Sequence, residues 1–350
     1  MFSASLLRSR GSDQDDGSSP RLLPPSLLSG VVDDMEKRIR LAVYTDDVEA
    51  FSRLAPQYPQ VEFRVEDTSE GFMEAARDAE IVYMARRYTR EMVFCARQAK
   101  WLHVRSAGID RLLPLTDFDP AMVITHTPGI SAGVMADYVI CAMLMLTWDI
   151  PRILQNQRER RWERWPLERV EGKTVAIIGL GNVGRALVGR ARAMGMRVVG
   201  VRRSPASEPG VDRVVGPGQL IEVLGEADYV VLAVALTRET RGMIGPSELA
   251  AMKRTAYLIN VSRGAVVREQ ALIEALNKGD IAGAALDVME QEPLPAESPL
   301  WGLKNVILSP HISGWSKDHG ERSRQVFLAN LERYLTGQPL LHVVDRSQEY

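Results

Sequence analysis

The sequence predicts an α/β protein with two domains built on doubly wound parallel sheets. Short apolar runs alternate with amphipathic stretches from Ile39 to Leu308, a pattern typical of parallel strands joined by helices. The alternation occurs in two series, which a long apolar helical stretch separates. The chain has 350 residues, and at about 150 residues per domain this length allows two domains.

The composition excludes several classes of protein. Hydrophobic residues make up 45% and charged residues 25% of the chain, which is ordinary for a globular protein with a large core. The formal net charge of −2 argues against nucleic-acid or membrane partners. Only two cysteines occur, Cys95 and Cys141. We therefore expect no disulfide framework, no metal centre and a reducing, cytoplasmic location.

Residues 1–35 differ from the rest of the chain. The stretch from Gly11 to Pro20 is polar and is followed by further prolines, which predicts a disordered tail. A start codon placed too early is the alternative, since Met35 precedes a natural beginning. Arginines among serines are also found in transit peptides, but the three aspartates before Gly17 contradict the acid-poor composition of such peptides.

The first series consists of five predicted strands with helices between them. The helices include Asp47–Leu54 and Arg90–Ala99. A long helical stretch from Ser131 to Arg158 follows, and Pro151 is expected to kink or divide it. Its apolar run is shorter than the roughly 18 residues of a membrane-spanning helix, so we expect it to be buried. The predicted strands are Ile39–Tyr44, Val61–Val65, Ile81–Ala85, Trp101–Ser106 and Val123–Thr125.

The second series contains the strongest local motif. A buried strand leads into Gly179, Gly181 and Gly184, and a helix follows. In such a turn the first glycine permits the bend, the second admits a pyrophosphate, and the third lets the helix pack on the strand. The alternative is a glycine-rich turn without a ligand, which the strand–turn–helix context disfavours. The predicted strands are Thr174–Ile178, Arg197–Val201, Tyr229–Ala233, Ala256–Asn260, Gly283–Asp287 and Val306–Leu308.

The strand after the glycine turn indicates which dinucleotide is preferred. Sites for NAD place an acid at the end of this strand, but here Arg202, Arg203 and Ser204 follow it. Guanidinium groups suit a 2′-phosphate, so the sequence predicts NADP(H), with NAD(H) as the second choice. The alternative is that one arginine stacks on adenine or faces solvent.

Three further strand ends carry residues suited to chemistry. Arg263 ends one strand, Asp287 ends the next with Glu292 in the following loop, and His311 follows the last. Each has an ordinary structural interpretation, as an ion pair, a helix cap, a turn acid or a surface histidine. Ligands bind beyond the carboxyl ends of such strands, so the four residues together predict a site.

These motifs resemble the D-isomer-specific 2-hydroxyacid dehydrogenases. The resemblance spans most of Ile39 to Asp345. It is carried by the glycine fingerprint and the segments Leu236–Thr240, Ser262–Gly264, Leu286–Pro293 and Pro310–His311, and more weakly by Trp101–Asp110 and Thr127–Gly129.

The resemblance implies two Rossmann-like domains, one inserted into the other. A flavodoxin-like substrate domain would comprise residues 36–135 and 312–345, and an NAD(P)-binding domain would comprise residues 136–311. The crossings near residues 130 and 312 would be hinges that close the cleft and exclude water. The helical stretch from Ser131 to Arg158 would supply the surface of a homodimer, the alternative being a core helix within one chain.

The resemblance also implies roles for individual residues. Arg263 would bind the substrate carboxylate, His311 would be the general acid or base, and Glu292 would favour its protonated form. The turn of Ser106, Ala107 and Gly108 would offer backbone N–H groups to the same carboxylate. Cofactor-binding positions would be Gly179, Gly181, Asn182, Val183, Gly184, Arg202, Arg203, Ser204, Ala233, Thr240, Val261, Asp287, Ser313 and Gly314.

The expected activity is hydride transfer between NADP(H) and a small 2-oxoacid or D-2-hydroxyacid such as glyoxylate or hydroxypyruvate. The alternative is a dinucleotide-sensing corepressor on the same fold. Two departures from the family pattern stand out. Ala235 replaces a usual proline near the adenine, and Trp315 would narrow the pocket or pack between domains.

Overall fold

The computed structural model describes residues 38–347, which form two parallel β-sheets covered by helices. The predicted tail, residues 1–35, lies outside the described residues. The helices are α1 (Val48–Leu54), α2 (Ser69–Ala76), α3 (Arg90–Phe94), α4 (Ala132–Thr147), α5 (Ile150–Arg158), α6 (Asn182–Ala193), α7 (Leu220–Glu226), α8 (Pro246–Ala251), α9 (Glu269–Lys278) and α10 (His319–Leu335).

The first sheet has five strands in the order β2-β1-β3-β4-β5. This is the flavodoxin-like order, so the predicted fold of this part is confirmed. Some predicted elements are too long, because the chain turns sooner: the strand that begins at Trp101 ends at Val104, and the helix that begins at Arg90 ends at Phe94. The strands are β1 (Ile39–Tyr44), β2 (Val61–Glu66), β3 (Ile81–Met84), β4 (Trp101–Val104) and β5 (Val123–His126).

The second sheet has seven strands in the order β12-β11-β10-β9-β6-β7-β8. This is the doubly wound order, with apolar cores on both faces. Strand β8 is absent from the sequence prediction, because three residues at a sheet edge are too few to show a periodic pattern. The strands are β6 (Thr174–Ile178), β7 (Arg197–Val201), β8 (Arg213–Val215), β9 (Tyr229–Leu232), β10 (Tyr257–Asn260), β11 (Gly283–Leu286) and β12 (Val306–Leu308).

The long helical stretch is divided into α4 and α5, which meet at an angle of 63°. Asp149 adopts the left-handed conformation (φ 51°) at the break, and its side chain accepts a hydrogen bond from Arg152 N at 3.3 Å. Pro151 lies in the first turn of α5, where a missing N–H costs nothing. Within residues 38–347 no single helix is long and apolar enough to cross a membrane, although α4 and α5 together have the length and composition.

Helix α10 returns the chain to the five-stranded sheet. The ring of Phe327 stacks on Tyr83 at 4.4 Å and on Trp101 at 5.3 Å between ring centroids. Ser131 Oγ, near the start of α4, donates to the carbonyl of Gly314 at 2.8 Å, so the two chain crossings between the sheets touch. The residue boundaries of the two domains stay a prediction.

Candidate active site

The glycine turn after β6 has the geometry that a dinucleotide needs. Gly179 has φ +105°, and a Cβ there would lie 2.5 Å from the carbonyl oxygen of Ala233. A Cβ on Gly184 would lie 2.1 Å from the carbonyl oxygen of Gly179, so α6 packs directly on the turn. A Cβ on Gly181 would meet nothing within 4 Å. The open space therefore lies at the N-terminus of α6, where Asn182 and Val183 form the first turn and free N–H groups attract a phosphate.

An acid that the sequence analysis missed lies beside the arginines after β7. Glu208 Oε2 accepts from Arg202 Nη1 at 3.2 Å, and Glu208 Oε1 lies 3.3 Å from Arg185 Nε. The sequence gives little indication that this acid approaches Arg202, because Glu208 lies six residues beyond Arg202 in a loop rich in proline. Ser204 is exposed in this loop. The pKa of the nearby Glu239 carboxyl is lowered, first by the hydrogen bond from the Thr237 hydroxyl and, less strongly, by the positive charge of Arg203.

The loop after β9 is closed by its own side chains. Thr240 Oγ1 donates to the carbonyl of Ala235 at 2.7 Å and accepts from Thr237 N at 2.8 Å. The hydroxyl of Thr240, a predicted cofactor contact, is thus engaged within the loop. Ala233 lies against the glycine turn, as described above. This loop therefore lies directly beside that turn.

Arg263 joins the two sheets. Its Nε donates to Asp110 Oδ1 at 3.0 Å, and its Nη2 lies 3.0 Å from the same oxygen. A Cβ on Gly108 would lie 2.1 Å from Arg263 Nη2, so a side chain at position 108 would displace the guanidinium from its present place. Asn260 fixes the base of the turn by accepting from Ser262 N and donating to the carbonyl of Arg263, both at 3.0 Å. Val261, before this turn, is 3% exposed.

The loop of Ser106, Ala107 and Gly108 presents open N–H groups. Ser106 Oγ donates to the carbonyl of Gly108 at 2.7 Å, and the ring of His126 donates from Nδ1 to the carbonyl of Ala107 at 2.7 Å. Both hydrogen bonds are accepted by carbonyl oxygens of the loop, so they do not engage its backbone N–H groups. Among the described residues, none of the three backbone N–H groups donates to another backbone carbonyl or to a side chain. Such groups can bind a carboxylate.

Asp287 organises the loop that follows β12. It is 1% exposed and accepts from Ser309 Oγ at 2.5 Å, from Ile312 N at 2.9 Å and from Ser313 N at 2.9 Å. Its backbone carbonyl also accepts from His311 N at 2.8 Å. Asp287 is predicted to contact the cofactor. The structure shows that it also holds the backbone of residues 311–313, a role that the sequence does not indicate.

His311 and Glu292 form a hydrogen-bonded pair. His311 Nδ1 lies 2.8 Å from Glu292 Oε2, and the second carboxylate oxygen accepts from Met289 N at 3.4 Å. His311 has φ 55°, an uncommon conformation that the bonds around Asp287 impose. The side chain is 42% exposed. Because the carboxylate takes Nδ1, the nitrogen left for a substrate is Nε2.

Trp315 follows this loop and is 72% exposed. The interpretation of Trp315 as a buried residue packed between domains is therefore wrong, since the ring faces outward. Among the residues that the structure describes, no group of three or more His, Cys, Asp or Glu side chains could hold a metal ion.

The sites on the seven-stranded sheet share one edge. Parallel strands β6, β9, β10, β11 and β12 are neighbours, so the glycine turn, Arg263, Asp287 and His311 all follow the carboxyl ends of adjacent strands. A phosphate-binding turn beside an arginine and a histidine–carboxylate pair defines an oxidoreductase that uses a nicotinamide dinucleotide.

Comparison with known proteins identifies the family. A family model described as D-isomer specific 2-hydroxyacid dehydrogenase, NAD binding domain, matches residues 140–313. A solved structure of a D-isomer specific 2-hydroxyacid dehydrogenase from Xanthobacter autotrophicus Py2, in complex with NADPH and MES, is 30% identical with a TM-score of 0.75. The superposition covers 89% of this chain and 100% of that chain. The chain belongs to the D-isomer-specific 2-hydroxyacid dehydrogenase family.

Two curated relatives extend the comparison. Glyoxylate reductase from Korarchaeum cryptofilum is 39% identical over 225 residues, which cover 61% of this chain and 67% of that protein. D-3-phosphoglycerate dehydrogenase from Methanocaldococcus jannaschii is 30% identical over 301 residues, which cover 84% of this chain and 57% of that protein. These names are those of reductases and dehydrogenases, so the alternative of a corepressor gains no support.

Proposed function

We propose that the protein is an NADPH-preferring reductase that converts a small 2-oxoacid, such as glyoxylate or hydroxypyruvate, to the D-2-hydroxyacid. The observation that carries the proposal is the hydrogen bond of 2.8 Å between His311 and Glu292 at the edge that also holds Arg263. A proton donor and a carboxylate-binding cation are the two groups that reduction of a 2-oxoacid requires.

The chain's own residues bind the substrate and move the proton. Arg263 binds the carboxylate with those N–H groups of Nη1 and Nη2 that Ser262 and Asp110 do not occupy, and the open N–H groups of the loop from Ser106 to Gly108 add to this binding. His311 gives the proton from Nε2 to the carbonyl oxygen, which contributes about 10²–10⁴-fold to the rate. The nicotinamide, when bound, supplies the hydride.

Two supporting residues hold this arrangement in place. Glu292 orients the imidazole, because its carboxylate oxygen Oε2 lies 2.8 Å from His311 Nδ1. Asp287 holds the backbone on which His311 stands. The proton donor is therefore positioned before the substrate arrives.

The preference for NADPH rests on Arg202 and Arg203 after β7. Their guanidinium groups suit a 2′-phosphate, and the related structure from Xanthobacter autotrophicus Py2 contains NADPH. Glu208 opposes this preference, because its carboxylate already occupies Arg202. We place the balance in favour of NADPH, because Arg202 and Arg203 follow β7 directly, whereas Glu208 lies six residues beyond Arg202.

Closure of the cleft is part of the proposal. The crossings at Ser131 and Gly314 are joined by a hydrogen bond of 2.8 Å and would act as one hinge between the proposed domains, residues 36–135 with 312–345 and residues 136–311. A homodimer built on α4 and α5, and a cytoplasmic location, stay predictions.

Steady-state assays of the purified chain test this function. Glyoxylate, hydroxypyruvate, pyruvate and phenylpyruvate are each offered with NADPH and with NADH, and oxidation of the cofactor is followed by absorbance. We expect turnover of at least one 2-oxoacid, with kcat/KM for NADPH about 10-fold above that for NADH. Preference for NADH would overturn the cofactor assignment alone, whereas no oxidation with any 2-oxoacid would overturn the function.

A further inference from the structure

Two loops of the five-stranded sheet meet beside Arg263. Strands β3 and β4 are parallel neighbours, with Met84 paired to Val104 at their carboxyl ends. The chain therefore leaves both strands on the same side. The loop after β4 carries Asp110, the ion-pair partner of Arg263, and Arg111 follows it directly. Residues just after β3 thus lie beside the substrate loop.

Tyr88, in the loop after β3, has a buried hydroxyl without a partner. The residue is 6% exposed, and its hydroxyl forms no hydrogen bond within the described part of the chain. The Ser106 hydroxyl lies near enough to lower the pKa of Tyr88 in part, but it donates its own proton to the carbonyl of Gly108 at 2.7 Å and is not within hydrogen-bonding geometry of the Tyr88 hydroxyl. Burial raises the pKa of Tyr88 to about 12, so the phenol keeps its proton and can donate it to an acceptor. A buried donor without an acceptor is costly unless a ligand supplies one.

The same place holds an excess of positive charge. Arg87 and Arg111 are both exposed at the surface. The pKa of Arg111 is nevertheless lowered, first by partial loss of hydration around its guanidinium and then by the positive charge of Arg87. Arg263 lowers it further, while Tyr88 and Asp110 oppose the shift. Neither Arg87 nor Arg111 forms an ion pair or a hydrogen bond with any residue in the range 38–347. Of these three arginines, only Arg263 pairs with a carboxylate among the described residues, that of Asp110.

We propose that Arg87, Arg111 and the hydroxyl of Tyr88 form a second anion subsite, so that the preferred substrates are 2-oxoacids with a second acidic group, a carboxylate or a phosphate, at the far end. This inference rests on the proposed function, since it assigns the near carboxylate to Arg263. The three arginines carry three positive charges, whereas Asp110 and the near carboxylate of the substrate carry two negative charges. One positive charge is therefore left unbalanced. A second acidic group neutralises this charge and gives the Tyr88 hydroxyl an acceptor.

Matched substrate pairs test the subsite in the full chain with its cofactor. 2-Oxoglutarate is compared with 2-oxopentanoate, which has the same chain length, and 3-phosphohydroxypyruvate is compared with hydroxypyruvate. We expect kcat/KM to favour the diacid by about 10- to 100-fold in at least one pair, as one charged hydrogen-bonded contact provides. The pair that shows the preference distinguishes a carboxylate ligand from a phosphate ligand.

Variants place that preference at the subsite. Arg111→Gln removes the charge, and Tyr88→Phe removes the hydroxyl but keeps the packed ring. Each should lower the ratio of diacid to monoacid kcat/KM by about 10-fold. Arg77→Gln, an exposed arginine paired with Glu74 at the end of α2, is the matched control and should leave the ratio unchanged.

The outcomes separate the subsite from the function. Equal kcat/KM within both pairs, with turnover of the monoacids, overturns the subsite and leaves the reductase intact. A preference for diacids that survives both Arg111→Gln and Tyr88→Phe also overturns it. No turnover of any 2-oxoacid overturns the subsite together with the proposed function.

Discussion

The carboxyl edges of the two sheets differ in how many of their polar groups already have partners. On the seven-stranded sheet, Asp287 accepts three hydrogen bonds and Glu292 holds His311. On the five-stranded sheet, the N–H groups of the loop from Ser106 to Gly108 are open, and the Tyr88 hydroxyl has no partner among the described residues. Arg263 is the residue that reaches from one edge to the other.

The difference assigns distinct tasks to the two edges. A group held by several hydrogen bonds has little freedom left to lose, which suits proton transfer at a fixed distance. Hydrogen-bond donors without acceptors and charges without counter-charges suit the binding of a substrate, because the substrate supplies the missing acceptor and counter-charge. We infer that the seven-stranded sheet fixes the reaction, whereas the five-stranded sheet selects the 2-oxoacid.

The carboxyl edge of the seven-stranded sheet, where the polar groups already have partners, is called the preorganised edge below, and that of the five-stranded sheet the open edge. The largest expected effect comes from removing the proton donor at the preorganised edge. His311→Asn should lower kcat by about 10²–10⁴-fold, because the imidazole is lost. Asparagine adopts positive φ readily, so the loop at φ 55° is retained. Titration of the cofactor should give an affinity within about 3-fold of the wild type.

His342→Asn is the matched control, since His342 is exposed and also has positive φ, 56°. We expect its kcat to remain within about 2-fold of the wild type, as for other surface substitutions. Comparable losses in both variants would show that the backbone conformation matters and that the imidazole at position 311 does not.

The glycine turn offers a second, smaller test of how rigid this edge is. Gly184→Ala places a Cβ 2.1 Å from a backbone oxygen, so we expect unfolding to become easier by about 1–3 kcal/mol. Gly181→Ala meets open space, so stability should change by less than about 1 kcal/mol while NADPH affinity falls about 10-fold.

Denaturant unfolding and NADPH titration of both variants separate the two effects. Gly189→Ala, in the same helix with nothing within 4 Å, is the control and should gain roughly 0.5–1 kcal/mol. If Gly181→Ala binds NADPH as tightly as the wild type, the cofactor does not approach the turn at Gly181.

The sequence predicts the preorganised edge far better than the open one. The spacing of Gly179, Gly181 and Gly184 reports backbone constraints that act within a few residues, so it is visible in the chain. The strands of the seven-stranded sheet appear as apolar runs and are largely buried, except the two edge strands β8 and β12, which are partly buried.

The contacts that sequence reasoning missed join distant positions through long side chains. Asp110 pairs with Arg263 from 153 residues away, and neither position indicates the other. Tyr88 and Arg111 come together only because β3 and β4 are neighbours. Such contacts depend on strand order and rotamer, which no local pattern encodes.

The smallest expected effect concerns Glu208, which engages an arginine that the cofactor needs. Glu208→Gln removes the carboxylate from Arg202 and Arg185 and leaves their guanidinium groups for a 2′-phosphate. The ratio of kcat/KM for NADPH to that for NADH should rise about 3- to 5-fold, the size of one partly exposed charge, and the rise should shrink at high salt. Glu222→Gln, which removes an exposed acid paired with Arg213, is the control. A fall in this ratio would contradict the prediction, because NADPH would then lose more than NADH when the carboxylate is removed.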